Sequence, residues 1–478
     1  MSKRLLVLVF ILSLTAPLFA QSVDTAWVRR YSSGEGYDLA VDRSGNTYVT
    51  GLTKTIKYDP FGNLLWEANR GGAHIVVDDS GYAYTTGGGY FTVKYNPAGG
   101  IEWEGHYYID ESRAITVDDH GNVYVTGITY AFDPTGDIAT IKYYPNGDTA
   151  WKRTYDGPGK RGDGGTVIAV DAQGNVYVAG WATNHTADYV TVKYDNSGNL
   201  LWAKTYDGLG HWDDLVTAIA VNSAGLVYVT GTAFGSNASL DYVTIKYLPN
   251  GDTLWIRSYD GPGNSYEEAY ALSLDRSGNV YVAGGSYGQG TLFDYAVLRY
   301  YANGDTAWVR RYNGPGNGHD EIRAMTVDGY GNVYVTGYSV GSQTGFDYLT
   351  IKYNQSGNEE WLVRDSGITS SSSDIARAIA LDDSGNVYVT GGNATYYGRD
   401  YATIKYVQTP GSFLRGDANH DNQVSVSDII HLINYLFKEG LLPYPIEAGD
   451  VNCDGKVTIS DVFYLINNLL KGGPAPAC

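Results

Sequence analysis

Two cysteines, two methionines and fourteen prolines are all that 478 residues hold of these types. So little cysteine excludes a small domain stapled by a disulfide framework, and so little proline excludes a collagenous or extended Pro-rich chain. Basic residues are also sparse: 33 Lys and Arg face 52 Asp and Glu, a formal net charge of −19. That balance argues against nucleic acid and against an anionic membrane surface as partners, and suits an exported protein or one that binds cations. Long apolar runs are missing too, except at the N-terminus. There Lys3-Arg4, the stretch Leu5 to Leu14 and the site Leu18-Phe19-Ala20 read as a signal peptide over 1–20. The competing assignment is a membrane anchor, for which the run is too short. The mature chain is therefore expected to be secreted and extracellular, with no membrane partner.

What is present in excess is glycine, 61 residues, and tyrosine, 44 residues. Set among valine and threonine, they describe short strands joined by tight turns. A repeat orders them. A strand of the form Gly-Asn-Val-Tyr-Val-Thr-Gly brings back its tyrosine at Tyr48, Tyr84, Tyr124, Tyr177, Tyr228, Tyr281, Tyr334 and Tyr388. The first two intervals are 36 and 40 residues and the rest 51 to 54. A second marker, Trp27, Trp66, Trp103, Trp151, Trp202, Trp255, Trp308 and Trp361, gives the same count of eight. A period of this length reads as a solenoid or a propeller.

Each unit contains four strand-like runs, as in Ala324–Asp328, Asn332–Thr336, Asp347–Tyr353 and the run from Trp361. Four-stranded meanders repeated eight times are the blades of an all-β propeller; a β-solenoid, with shorter coils, is the alternative. The phase is informative. The mature chain opens on a fourth-strand run, Ala26 to Tyr31, and the repeats end on a third-strand run, Tyr401 to Tyr406. The N-terminal strand is thus expected to close the last blade and remove two sheet edges. The run Asp382-Asp383-Ser384-Gly385-Asn386-Val387-Tyr388-Val389-Thr390-Gly391, with the Asp-Tyr-x-Thr-Ile-Lys-Tyr run, resembles the SBBP β-propeller repeat family of exported bacterial proteins. The resemblance covers about residues 24 to 406. Its name promises seven blades where this chain offers eight, and it carries over no general activity.

The propeller is assigned to 21–407, a linker to 408–414, and a small all-α domain to 415–478, where the chemistry changes. Asp417, Asn419, Asp421, Gln423, Ser425 and Asp428 fall at positions 1, 3, 5, 7, 9 and 12 of one loop. Asp450, Asn452, Asp454, Lys456, Thr458 and Asp461 repeat the spacing 33 residues later. Hard oxygen donors at 1, 3, 5 and 12, a carbonyl at 7 and a water-bridging position 9 make EF-hand calcium loops, so two Ca2+ ions are expected. Position 6 needs a left-handed backbone, supplied by Gly455 in one loop and Asn422 in the other. An amphipathic helix follows each loop: Ile429, Leu432, Ile433, Leu436 and Val462, Leu465, Ile466, Leu469. This tandem pair resembles a type I dockerin over about 415 to 471. The resemblance implies a cohesin domain as partner, contacted through positions 10 and 11 of each loop, Val426-Ser427 and Ile459-Ser460. The near-identity of the two pairs implies that either half could face it. A calcium-stabilised cap without a partner is the competing reading.

Both cysteines, Cys453 and Cys478, lie in this module. In an exported domain they suggest one disulfide tying down the tail, with two free thiols as the alternative. No catalytic residues are assigned. Eight histidines are scattered without metal-ligand spacing, and no nucleophile elbow or phosphate loop is present. Asp137, Asp188, Asp241, Asp294, Asp347 and Asp400 recur at the head of the third strand. They read as blade-building groups, with a ring of cation or sugar ligands as the rival. Lys57, Lys94, Lys142, Lys193, Lys246, Arg299, Lys352 and Lys405 recur too, and are expected to pair with the acids that end the first strands. Function is expected where the repeat breaks: Trp181, His211, Trp212 and the loops 156–165, 207–214 and 314–320. The favoured reading is a non-catalytic binding or scaffold component, its propeller presenting a surface to a polysaccharide or protein ligand. The alternative is a polysaccharide-degrading enzyme, a glycoside hydrolase or lyase, which would need paired carboxylates outside the repeat phase.

Overall fold

The structure, a computed structural model, describes residues 22–32, 34–87, 91–106, 110–131, 134–236, 239–367, 373–395, 398–409, 414–419, 423–438, 443 and 446–476. The expected signal peptide lies outside them. The chain divides into two compact units, one spanning Val23–Gln408 and one that takes in Thr409–Cys478.

The first unit is an eight-bladed propeller, each blade a four-stranded sheet. The blade of Glu111–Val117, Val123–Thr129, Asp137–Tyr143 and Thr149–Tyr155 shows why this sequence makes it. Its two middle strands are buried along their whole length, whereas the outermost alternates between exposed and covered positions. Runs of valine, isoleucine, threonine and tyrosine suit strands sandwiched between neighbouring blades, and alternation suits the rim. The first hairpin is closed by Asp118. Its Oδ1 accepts from the His120 and Asn122 N–H groups at 3.0 and 2.9 Å, and its Oδ2 from the Asn122 amide and the Tyr124 hydroxyl, both at 2.8 Å. Gly121 turns the chain at φ +76°, a conformation that a side chain resists. Burial, then the Asp118 carboxylate, pushes the pKa of the Tyr124 hydroxyl up, so it stays a donor.

Tryptophan joins one blade to the next. The Trp151 ring lies 6.5 Å from Tyr124 of its own blade and 6.0 Å from Tyr194 of the following one. Its Nε1 donates to the Asn196 carbonyl at 3.0 Å. Such pairs add to the area they bury. The lysines depart from expectation. Lys193 and Lys246 donate to the Pro249 and Ala302 carbonyls of the following blade at 3.2 and 2.8 Å, each ammonium 5.0 Å from its own blade's tyrosine ring. Lys193 feels Asp171 of its own blade as a nearby charge without hydrogen-bonding it, and the Lys246 blade has Asn222 in place of the acid. Arg299, 3.7 Å from Asp275, does reach its acid.

Ring closure follows the expected phase. Strand Ser22–Tyr31 lies beside Gly398–Thr409 and completes the sheet of Val387–Thr395 and Ile375–Leu381. Trp27 then repeats the inter-blade joint, 6.1 Å from both Tyr388 and Tyr58, with Nε1 donating to the Pro60 carbonyl at 3.1 Å. Glu35 adds ion pairs to Arg377 at 3.1 Å and Arg399 at 2.7 Å. Burial pushes its carboxyl up, but the two guanidiniums outweigh this and hold it below the usual range.

The second unit contains helices α1 (Val426–Phe437), α2 (Ile446–Gly449) and α3 (Ile459–Lys471). Ile429, Leu432, Val462 and Leu465 form its core with Ala418 and Val451, and Ile433, Leu436, Ile466 and Leu469 pack against it. All eight apolar positions read from the helical period therefore face inward.

Trp27 is only 7% exposed, and its loss opens the closing joint. Trp27→Ala should destabilise the propeller by about 3–5 kcal/mol, and deletion of residues 22–31 by more, because the last blade then exposes an edge. Calorimetry of the full chain checks both; an unchanged propeller transition would refute the closure.

Candidate functional site

The calcium-loop residues are built around the starts of α1 and α3. In the second loop, Asp450 Oδ1 accepts from the Asp454 N–H and Oδ2 from the Gly455 N–H, both at 3.0 Å. Asn452 Oδ1 accepts from the same Asp454 N–H at 3.0 Å, and Asp454 Oδ1 from the Lys456 N–H at 3.0 Å. These bonds curl the loop so that positions 1, 3 and 5 point their oxygens to its inside. Gly455 has φ +82°, as position 6 requires. Cys453 also adopts positive φ, +65°, a departure that the spacing does not announce. Lys456 is exposed, leaving its carbonyl as the donor at position 7.

Position 12 arrives from the helix. Asp461 Oδ1 accepts from the Asn452 N–H at 3.1 Å and Oδ2 from the Thr458 N–H at 2.8 Å, while the Thr458 hydroxyl accepts from the Ser460 N–H. Thr458 and Asp461 thus form a capping box at the start of α3. The first loop repeats this arrangement. Asp428 accepts from Asn419 N–H at 3.0 Å and Ser425 N–H at 2.8 Å, and Ser425 caps α1. Asp428 and Asp461 are both fully buried. Asp417 is buried, Gln423 is exposed, and Asp421 and Asn422 lie outside the described residues. The donor set fits a hard cation: carboxylates and amide oxygens at the spacing Ca2+ takes. Arg415 ties the halves together, donating to the Asp450 carbonyl and lying 3.8 Å from its carboxylate.

Val426, Ser427, Ile459 and Ser460 all sit in the first turn of their helices and are exposed. The structure adds residues that the sequence reading missed. Ile430 and Phe437 on α1, and Phe463 and Leu470 on α3, are 55, 65, 64 and 66% exposed. Each follows Val426 or Ile459 by four or eleven residues, so two equivalent apolar stripes face away from the core. The missing signal was the 33-residue offset itself, which relates every member of one stripe to one of the other. Cys478 lies outside the described residues, so the disulfide expectation does too.

On the propeller, Trp181 stacks under the Arg113 guanidinium, 4.7 Å from its ring, and is half-buried. Trp212 is 60% exposed and lies 6.1 Å from Phe234; His211 bonds Asp207 at 2.7 Å. In the 314–320 loop, Asp320 accepts from the Gly314 and Val340 N–H groups at 2.5 and 3.0 Å. Asp294 and Asp347 hold Arg311 and Arg364 at 2.8 and 3.0 Å, a blade-building role. A pocket of about 390 Å3 opens between the turns of two neighbouring blades, lined by Asp119, His120, Gln173 and Asn196.

Residues 415–470 match the family model described as Dockerin type I domain. Residues 28–55, 100–133 and 307–342 match the one described as Beta-propeller repeat. Among solved structures, the chain is similar to the C-terminal WD40 domain of Sif2, with a TM-score of 0.54 at 9% identity, covering 82% of this chain and 100% of that one. That likeness bears on the fold alone. A Bacteroides caccae protein of unknown function aligns over 61% of this chain and 94% of its own, at 13% identity and a TM-score of 0.36. No curated protein sequence matches the chain. Among the described residues, no helix is long and apolar enough to cross a membrane. The chain joins an eight-bladed propeller of SBBP-type repeats to a C-terminal type I dockerin domain, a calcium-binding module that docks to cohesins.

Proposed function

We propose that this chain is a secreted, non-catalytic component of a cohesin-organised assembly. The dockerin attaches it, and the propeller offers a binding surface to a polysaccharide or protein ligand. One observation carries the reading: the paired exposed stripes Val426, Ile430, Phe437 and Ile459, Phe463, Leu470. Apolar residues gathered on a polar module and kept in two-fold register suit a partner that takes either half. Ser427 and Ser460 add polar contacts beside them. Two Ca2+ ions, held by Asp417, Asn419, Asp421, Gln423, Ser425 and Asp428 and by Asp450, Asn452, Asp454, Lys456, Thr458 and Asp461, set the angle of the stripes. A disulfide between Cys453 and Cys478 would fasten the tail to the second loop. Support for a non-catalytic propeller comes from its acids: Asp118, Asp320, Asp294 and Asp347 are spent on turns and guanidiniums.

Asp417→Ala with Asp450→Ala should abolish cohesin binding even in excess calcium, because binding energy for the ion is folding energy for so small a domain. Calorimetry of the same variant should lose the dockerin transition and keep that of the propeller. Titration against a cohesin decides the two-fold reading. Substituting Ile430 and Phe437 with Asp, or Phe463 and Leu470 alone, should leave affinity within about threefold, since one intact half suffices; substituting all four should weaken it by at least 100-fold. Loss on a single-half change would show that only that half docks. Incubation of the full chain with polysaccharides should give no new reducing ends; their release would favour the enzyme.

A further inference from the structure

At five successive passages from one blade to the next, three positions define a junction: the head of a third strand, the residue after a fourth strand, and the head of the next first strand. Along the chain these junctions read Asp137, Asp156, Asp163; then Asp188, Asp207, Asp214; then Asp241, Asp260, Glu267. In all three, one oxygen from each carboxylate lies within 4.8 Å of the other two. The next two junctions read Asp294, Asn313, Asp320 and Asp347, Ser366, Asp374. There the middle acid is gone and a guanidinium has entered, Arg311 on Asp294 and Arg364 on Asp347. The register of those arginines is filled by Thr154, Thr205 and Ser258 in the three acidic junctions. A third carboxylate is thus present where the built-in cation is absent.

The three acidic junctions are not equal. In the first, Lys160 lies 2.8 Å from Asp156, and in the second His211 lies 2.7 Å from Asp207. Both basic residues occupy a left-handed turn position, and in the third junction that position, also left-handed, is Asn264. At the third junction, Ser258 thus stands where the later junctions have arginine, and Asn264 where the earlier ones have lysine or histidine. The inner acid differs as well. Asp214 satisfies its two oxygens with the N–H groups of Gly208 at 2.5 Å and Phe234 at 2.9 Å. At the matching position of the third junction, the Tyr287 N–H donates to the Tyr266 carbonyl instead. Glu267 accepts from the Ser286 hydroxyl through Oε1 at 3.2 Å and from the Gly261 N–H, while Oε2 has no partner at hydrogen-bond geometry although the residue is fully buried. Arg311, which also donates to Ser286, is committed to Asp294 at 2.8 Å. A buried carboxylate oxygen left bare beside two further carboxylates is costly unless something positive meets it.

We propose that Asp241, Asp260 and Glu267 bind a divalent cation, Ca2+, that fastens the fifth blade to the sixth. The donors are hard oxygens, three carboxylates with the Ser239 and Ser286 hydroxyls nearby, Ser239 donating to Asp241 at 3.2 Å. That is the donor chemistry of Ca2+; Mg2+ demands stricter geometry and retains its waters. The electrostatics agree. Burial first and Asp260 second push Asp241 to about 6, and burial, with Asp260 adding to it, pushes Glu267 to about 7 against the Gly261 and Ser286 hydrogen bonds. Without a cation the cluster resists carrying its full charge at neutral pH; the ion takes the place of the missing guanidinium.

Calcium bound per full-length chain, counted by native mass spectrometry, tests this together with the propeller melting transition measured with calcium and with chelator. Glu267→Gln should lose one calcium relative to the parent, and calcium should no longer raise its propeller transition. Ser258→Arg with Asp260→Asn rebuilds the later type of junction; it should also lose one calcium yet melt in chelator no lower than the parent does in calcium. Asp417→Ala with Asp450→Ala should keep the calcium shift of the propeller, which separates this site from the dockerin loops. The proposal is overturned if the parent's propeller transition ignores calcium, or if both junction variants bind as many ions as the parent.

Discussion

Seven of the eight blades depend on a carboxylate that grips a turn with one oxygen and a buried tyrosine hydroxyl with the other. Asp42, Asp78, Asp118, Asp171, Asp275, Asp328 and Asp382 all accept from the tyrosine six residues on, at 2.8 to 3.2 Å. That bond fixes the ring against which the tryptophan of the same blade packs, and the tryptophan reaches the next blade. Removing the carboxylate therefore loosens a joint as well as a turn. The fifth blade carries a natural case. Asn222 keeps the turn through the Ala224 and Leu226 N–H groups at 3.1 and 3.0 Å, but the buried Tyr228 hydroxyl is left without a partner. A buried unmet hydroxyl costs about 1–3 kcal/mol. The same blade supplies two of the three acids at the candidate cation junction.

Repetition made this fold legible. A single Gly-Asn-Val-Tyr-Val run would identify a strand and little else; eight of them in phase with eight tryptophans give blade count, strand order and the closure by Ser22–Tyr31. What could not be read are contacts with backbone acceptors. Lys193 donates to the Pro249 carbonyl, and any residue except its own neighbours could have supplied that oxygen. The pairing with first-strand acids holds for Arg299 and Asp275, whereas Lys193 lies near the charge of Asp171 yet gives its hydrogen bond to a carbonyl. The exposed Phe437 and Phe463 were missed for a different reason. A helical period picks out the stripe that faces the core, and these two belong to the opposite one. The Arg311 and Ser258 alternation was visible in the aligned repeats, but the unmet oxygen of Glu267 needed coordinates.

In the dockerin, the last four residues of each loop do two things. Ser425 and Asp428, or Thr458 and Asp461, cap the helix and occupy the loop positions proposed as ligands. A capping box is worth about 1 kcal/mol to a helix, far less than an ion contributes to a domain of this size. The cap thus holds the helix start in place so that position 12 is aimed before the ion arrives. The stripes of α1 and α3 begin in that same first turn, so under the proposed reading ion binding and presentation of the docking face would be coupled through the cap.

The closure of the ring has a kinetic meaning. Trp27 packs on Tyr388, so the joint that finishes the propeller connects residues at its two ends in sequence. The propeller's first strand in sequence pairs with its last. Until the final blade has formed, Ser22–Tyr31 has no sheet to join, and that blade has an open edge waiting for it. Contacts of such long range are formed slowly, since chain entropy is spent before packing returns it. The seven internal joints join blades adjacent in sequence, whereas the eighth joins the propeller's two ends. Until that pairing forms, the chain carries an unpaired strand and an open sheet edge, a surface that other strands could join.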